Sequence, residues 1–248
     1  MAISMRGIGA ALAVLLALVS GAAARDSGRQ GTRFILAVSW QPAFCATNRQ
    51  KAECRVETRD SYDAKNFSLH GLWPMRQDYC GVSSDQQRAD RGSDWRSLPE
   101  VTLSAETRAA LDKVMPGTRS ALERHEWIRH GTCTNLSADA YFRTAAGFIE
   151  QLNASDVRAL FADNIGRTLD ADSIKAAFDS SFGPGAGERV KMSCRRVGNQ
   201  RVISELTIGL SADALAAPAA GTRLGDVIQS AGRTSFGCNE GVVSAVSR

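Results

Sequence analysis

Apolar residues follow two periods along the chain. Phe34-Ile35-Leu36-Ala37-Val38-Ser39-Trp40 is apolar and β-rich, carries no charge and meets Pro42, which predicts a buried strand ending there. A second strand is expected over 66–73, and a pair over Val190–Val197 and 201–210 that turns at Gly198-Asn199. Between these the period becomes helical. Ser104 caps a helix over 105–115 that Pro116-Gly117 stops, and a helix over 119–130 is closed by Gly131. Ser137 starts another, with Tyr141, Phe142, Ala145, Phe148, Ile149 and Leu152 on one stripe. Ser155 or Asp156 begins a short helix through Phe161. Asp172 begins the next, with Ile174, Ala177 and Phe178 inward, until Gly183-Pro184-Gly185 breaks it. Aromatics at that spacing read as core. Cys45 to Cys54 and residues 75–99 are polar and turn-rich, and read as loops. Strands flanking a helical middle define an α+β class with a mostly antiparallel sheet packed against several helices.

The first residues belong to a different pattern. Arg6 gives a positive start, the apolar run over 10–19 is too short to span a bilayer, and Ala22-Ala23-Ala24 is a small-residue cleavage site. The expectation is a signal peptide over 1–24, cleaved after Ala24, and export to the periplasm or outside the cell. No other segment is apolar and long enough to cross a membrane. The remaining chain of about 220 residues suits one core, and no linker or repeat divides it, so 25–248 is expected to be one domain and a monomer. The formal charge of +4 falls to +3 without Arg6. That is compatible with a polyanionic substrate but too small for tight salt-driven binding. Six cysteines suit an oxidising compartment, and six allow fifteen pairings. They contain no C-x-x-C and match no common zinc spacing, so neither metal nor cofactor is expected. Asn66, Asn135 and Asn153 begin N-x-S triplets, a weak pattern.

Candidate chemistry concentrates in Arg124-His125-Glu126-Trp127-Ile128-Arg129-His130-Gly131-Thr132-Cys133, which holds two of the chain's three histidines. On a helix, with His125 at zero, Arg129 lies near about 40°, Glu126 near about 100° and His130 near about 140°. Trp127 and Ile128 point away. Such an arc can surround a small anion, or it can be a salt-bridged solvated face, since Glu126/His130 and His125/Arg129 are i,i+4 pairs. The third histidine, His70, lies in Phe67-Ser68-Leu69-His70-Gly71-Leu72-Trp73-Pro74, where a lone histidine would ordinarily be a satisfied core residue. A zincin reading of His125-Glu126 fails on spacing, because the next histidine is at i,i+5 rather than i,i+4.

The two segments together resemble the signatures of the ribonuclease T2 family: Leu69-His70-Gly71-Leu72-Trp73-Pro74 is similar to the first, His125 to Cys133 to the second. Leu36 to Cys45 resembles the opening strand of bacterial, ribonuclease I-like members. The resemblance implies an antiparallel sheet packed on helices, and an endoribonuclease of low base specificity. Its substrate would be single-stranded RNA, cleaved without metal through a 2′,3′-cyclic phosphate to a 3′-phosphate. It implies His130 as general base, His70 as general acid, His125 holding phosphate, and Glu126 with Arg129 stabilising the transition state. From the residues alone, acid and base are not distinguished. It also implies the disulfides Cys45–Cys54, Cys80–Cys133 and Cys194–Cys238, the second of which would tether the two histidine segments. The alternative on the same fold is a non-catalytic exported RNA-binding protein.

Two positions depart from the family pattern. Arg129 stands where lysine is usual and keeps the charge with a two-pronged donor. Met75 stands where some fungal members carry a purine-binding aspartate, which puts a purine preference of that origin in doubt. Trp73 is a substrate-binding candidate because aromatic faces stack any base, and equally a core anchor. Tyr79 is a weaker candidate.

Overall fold

The computed structural model describes residues 1–2, 31–92, 94–215 and 221–247, so the apolar run and cleavage site of the expected leader lie outside the described residues. Among the described residues six strands, β1 Phe34–Trp40, β2 Phe67–Pro74, β3 Thr168–Asp170, β4 Val190–Val197, β5 Gln200–Leu210 and β6 Glu240–Val242, form one sheet in the order β2-β1-β5-β6-β3, with β4 on the other side of β5. Every pairing is antiparallel except β5 with β6, joined in parallel at Val202 and Val242. The expected α+β class and mostly antiparallel sheet are present.

The helices are α1 Gln41–Cys45, α2 Ala52–Val56, α3 Ser84–Arg91, α4 Ala105–Val114, α5 Leu122–Arg129, α6 Ala138–Asn153, α7 Asp156–Asp163, α8 Ala171–Phe182 and α9 Leu224–Gln229. Ser104, Ser137 and Ser155 accept N-terminal backbone N–H groups as capping residues should. Their caps anchor α4, α6 and α7; Asp170, not Asp172, does the same for α8. Both expected loops are wrong in part: 75–99 contains α3, capped by Ser83, and the loop from Cys45 to Cys54 runs into α2 at Ala52. The site helix is also shorter than 119–130. Residues Pro116–Ser120 make a 3-10 turn, and Ala121 at φ 61° breaks the path before Leu122.

The core lies between the sheet and α6, α7 and α8. Trp40, Phe67 and Phe161 pack with ring centroids 4.7–5.5 Å apart. Each is under 2% exposed, and such burial stabilises by about 1.5–3 kcal/mol per side chain. The α6 stripe is buried as its spacing predicted. Asn153 at its end receives the Phe67 N–H and donates to the Phe67 carbonyl, both at 2.9 Å, and so closes the start of β2. That amide is therefore structural. Tyr141 donates to the Leu72 carbonyl at 2.7 Å, which fixes the far half of β2 to the same helix.

Candidate active site

The register of β1 with β2 slips by one residue: Ala37 faces Gly71 while Val38 faces Leu69. His70 is the extra residue of that bulge, and a bulge re-aims the side chain it carries. The imidazole leaves the ladder and turns to α5. Gly71 follows it by necessity, because a Cβ there would lie 1.9 Å from Glu126 Oε2 and 2.3 Å from Trp73 Nε1. The bulge and the missing side chain make the space into which α5 lowers its carboxyl group.

Glu126 is fully buried and central. Its Oε2 receives the Trp73 indole N–H at 2.8 Å. Its Oε1 lies 3.9 Å from His70 Nε2 and 3.8 Å from His125 Nε2, and makes no hydrogen bond. The helix ends at Arg129, and His130 is its C-cap at φ −117°, ψ −51°. His130 keeps the helical bond from its N–H to the Glu126 carbonyl, and its ring lies 5.5 Å from the Trp73 ring and 6.3 Å from that of His125. Trp127 and Ile128 point away as expected: Ile128 is buried, and Trp127 packs on Tyr141. Gly131 leaves room for that indole, which a Cβ would meet at 2.2 Å.

The structure therefore brings His70, His125, Glu126 and His130 together, with Trp73 and Arg129 beside them. Trp73 does two things, holding Glu126 through its N–H and lining a cavity with Met75, Arg129 and His130. Arg129 sits 5.7 Å from the Tyr79 ring, its charge felt by His125, Glu126 and His130. A second cavity of about 460 Å³ is lined by His70 with Ser39, Lys51, Trp95, Arg195 and Glu205 among others. His70 thus lines this cavity, and Trp73, Arg129 and His130 line the first.

Two carboxyl groups went unnoticed in the sequence. Asp90, on α3, accepts from His125 Nδ1 at 2.6 Å and from the Tyr79 hydroxyl at 2.7 Å, while Trp95 stacks on the His125 ring at 4.5 Å. Glu205, on β5, lies 2.7 Å from His70 Nδ1. The one readable signal was for the helix that carries Asp90: Ser83-x-x-Gln86 is a capping-box pattern, and Ser83 Oγ accepts the Gln86 backbone N–H while its hydroxyl donates to Gln86 Oε1. Glu205 had no local signal.

These surroundings push the titrating groups apart. Burial, then the charges of Arg129, His125 and His70, push His130 down to about 3. Burial alone would also lower His70, but the Glu205 hydrogen bond and the Glu126 and Glu205 charges outweigh it and leave His70 raised. Burial and Arg129 lower His125 against the pull of Asp90. Burial pushes Glu126 up to about 7. His125, Glu126 and His130 also bring ligand atoms within 4.8 Å of one another, a trio able to hold a metal ion. Sequence spacing had shown no such cluster.

All three disulfides pair as the resemblance implied. Cys80–Cys133 joins the turn after β2 to the segment after α5, and so ties the two histidine segments.

Three imidazoles, an arginine and a buried carboxyl brought together equip a site for acid–base work beside an anion, the class of a phosphodiester-cleaving enzyme. The chain belongs to the ribonuclease T2 family, whose model matches residues 31–218, and it is an endoribonuclease of that type. It is 35% identical over 209 residues to ribonuclease I of Escherichia coli, covering 75% of this chain and 77% of that one. It is 31% identical over 162 residues to intracellular ribonuclease LX of Solanum lycopersicum, covering 60% and 62%. The crystal structure of an RNase MC1 mutant in complex with 5′-UMP superposes with a TM-score of 0.53 at 20% identity, over 75% of this chain and 90% of that one, a likeness of fold.

Proposed function

We propose that the protein cleaves single-stranded RNA by transesterification, with His130 as general base and His70 as general acid and with no metal. The observation that carries this is the opposite displacement of the two imidazoles. His130, pushed down to about 3, is neutral and able to accept a proton. His70, raised, keeps one to give. Environments that push two pKa values apart assign acid and base.

His130 takes the proton of the 2′-hydroxyl. The 2′-oxygen bonds to phosphorus, and the bond to the 5′-oxygen breaks with its electron pair on that oxygen. His70 supplies the proton it needs. The products are a 2′,3′-cyclic phosphate and a free 5′-hydroxyl. Water then opens the ring by the reverse proton path to give a 3′-phosphate. Arg129, His125 and Glu126 surround the phosphoryl oxygens. In acid the Glu126 carboxyl, displaced to about 7, carries a proton, so it can donate to an oxyanion through Oε1, which makes no hydrogen bond in the structure. His125 donates through Nε2 when protonated, since Nδ1 is committed to Asp90. The working window then lies above about 3, set by His130, and below the ordinary imidazole value of 6.5, set by the lowered His125.

The base preference is low, with Trp73 offering a stacking face. The protein is exported as a single domain and works as a monomer in the periplasm or outside the cell, where its three disulfides persist. Single substitutions His70→Ala and His130→Ala, assayed on single-stranded RNA in excess chelator, should each lower turnover by about 10²–10⁴. Near-normal turnover of either variant, or loss of wild-type activity to the chelator, would overturn the reading.

A further inference from the structure

His70 is extruded by one bulge, and a second bulge lies across the intervening strand. Ser193 faces Glu205 while Cys194 faces Ile203, so Ser204 is the extra residue of β5. Neighbouring strands lie about 4.8 Å apart, so side chains two strands apart meet only if both are long and aimed at each other. The two bulges give that aim, and Glu205 reaches over β1 to His70 at 2.7 Å. Its partner on β1 is Ser39, a small residue, and Ser39, His70 and Glu205 line one cavity.

We propose that Glu205 is a positioning residue for His70. It accepts the Nδ1–H hydrogen bond, turns Nε2 into the space beside Glu126, and stabilises the charged ring until Nε2–H is given to the departing 5′-oxygen. The proposal rests on the reading of His70 as proton donor. The ring is held on three sides: by Glu205 at Nδ1, by Glu126 Oε1 at 3.9 Å from Nε2, and by Trp73 edge-on at 5.1 Å. The titratable groups around it are Glu205 from β5, Glu126 and His125 from α5, and His130 beyond its end. Of these, Glu205 is the one in hydrogen-bond contact. Burial works against a charged ring here, and the Glu205 hydrogen bond leads the influences that reverse it. With Nδ1 committed, the neutral ring after transfer keeps its proton on Nδ1. Nε2 is then free to take one back as water opens the cyclic phosphate.

The experiment compares wild type, Glu205→Gln, Glu205→Asp and His70→Ala over the acid and neutral range. Glu205→Gln should lower kcat by about ten- to a hundredfold, with little change in KM, and the titration of His70, followed by nitrogen-15 NMR, should move to lower pH. Glu205→Asp should recover part of the loss. In the His70→Ala background Glu205→Gln should add little, because the two act as a unit. Wild-type turnover of Glu205→Gln, or a uniform loss with an unmoved His70 titration, would overturn the proposal. Nitrogen-15 NMR of wild type needs no variant: neutral His70 should carry its proton on Nδ1, and a proton on Nε2 would refute the contact. If His70→Ala stays active, the reading of His70 has failed. If His70→Ala is inactive while Glu205→Gln behaves as wild type, only the role of Glu205 has.

Discussion

Gly71→Ala should be among the costliest single-methyl additions in this protein. Gly71 does not occupy the left-handed region, so the cost comes from contact and not from backbone strain. The added Cβ would lie 1.9 Å from Glu126 Oε2 and 2.3 Å from Trp73 Nε1, and the first of these side chains is fully buried. Glu126 must turn away and give up the 2.8 Å bond from Trp73. A hydrogen bond to a charged group is worth about 1.5–3 kcal/mol, and overpacking costs about 1–3 kcal/mol. The sum is about 2.5–6 kcal/mol, a large part of an ordinary domain's stability of about 5–15 kcal/mol. Turnover should also fall by about 10²–10³, as when one transition-state donor is lost. The assay is urea unfolding at constant m, with turnover measured on the same samples. In a Glu126→Ala background the nearest obstacle is gone, so the same methyl should cost clearly less, with the Trp73 contact remaining. Equal cost in both backgrounds, or no cost in wild type, would show that Gly71 does not make room for Glu126.

Arg129→Lys should retain most activity and Arg129→Ala should lose about 10²–10³ in turnover; an active alanine variant would make Arg129 a solvated helix residue. Replacing Cys80 and Cys133 together by alanine opens a loop of sequence separation 53. By chain entropy this should cost about 4 kcal/mol in urea unfolding, with activity falling more than for loss of either other bridge. The pH dependence follows from His130. Between 6.5 and about 3 the unfolded chain binds a proton at this residue that the folded one refuses, so stability falls with pH across that window. Stability of His130→Ala relative to wild type should therefore improve as pH drops through it. A pH-independent difference would contradict the assignment of a neutral buried imidazole.

The strands β1, β2, β4 and β5 and the helix α6 were legible because each carries its burial pattern locally, as the α6 stripe shows. The α3 helix was not. Its residues Ser-Asp-Gln-Gln-Arg-Ala-Asp-Arg have no apolar face, and what it buries is the polar Asp90. β3 and β6 are three residues each and exist by pairing with one another across the chain. The start of α5 was missed because the break is made by a non-glycine residue, Ala121, in a left-handed conformation that its side chain does not advertise. At the site, the three histidines, Glu126 and Arg129 stood out because histidine is rare here and the two motifs are compact. Asp90 and Glu205 are single carboxyl groups among 26 acidic residues, and lie 35 and 135 positions from the histidines they hold. Only the fold makes them neighbours. The His125, Glu126 and His130 side chains shared one arc in the helical reading, but their i,i+1,i+5 spacing gave no metal-ligand signal, so the trio's fitness for an ion was not read.

The central claim is that the nucleophile is the substrate's own 2′-hydroxyl, activated by imidazole. Intramolecular attack of this kind can be worth about 7–11 kcal/mol through proximity, and DNA lacks the group altogether. The most direct test is a labelled single-stranded oligoribonucleotide with one internal 2′-deoxy position, digested in excess chelator. Cleavage should occur at every linkage except the one immediately 3′ of the deoxy residue, leaving 2′,3′-cyclic phosphate ends first. Cleavage at that linkage, or silence of the whole reaction in chelator, would contradict it.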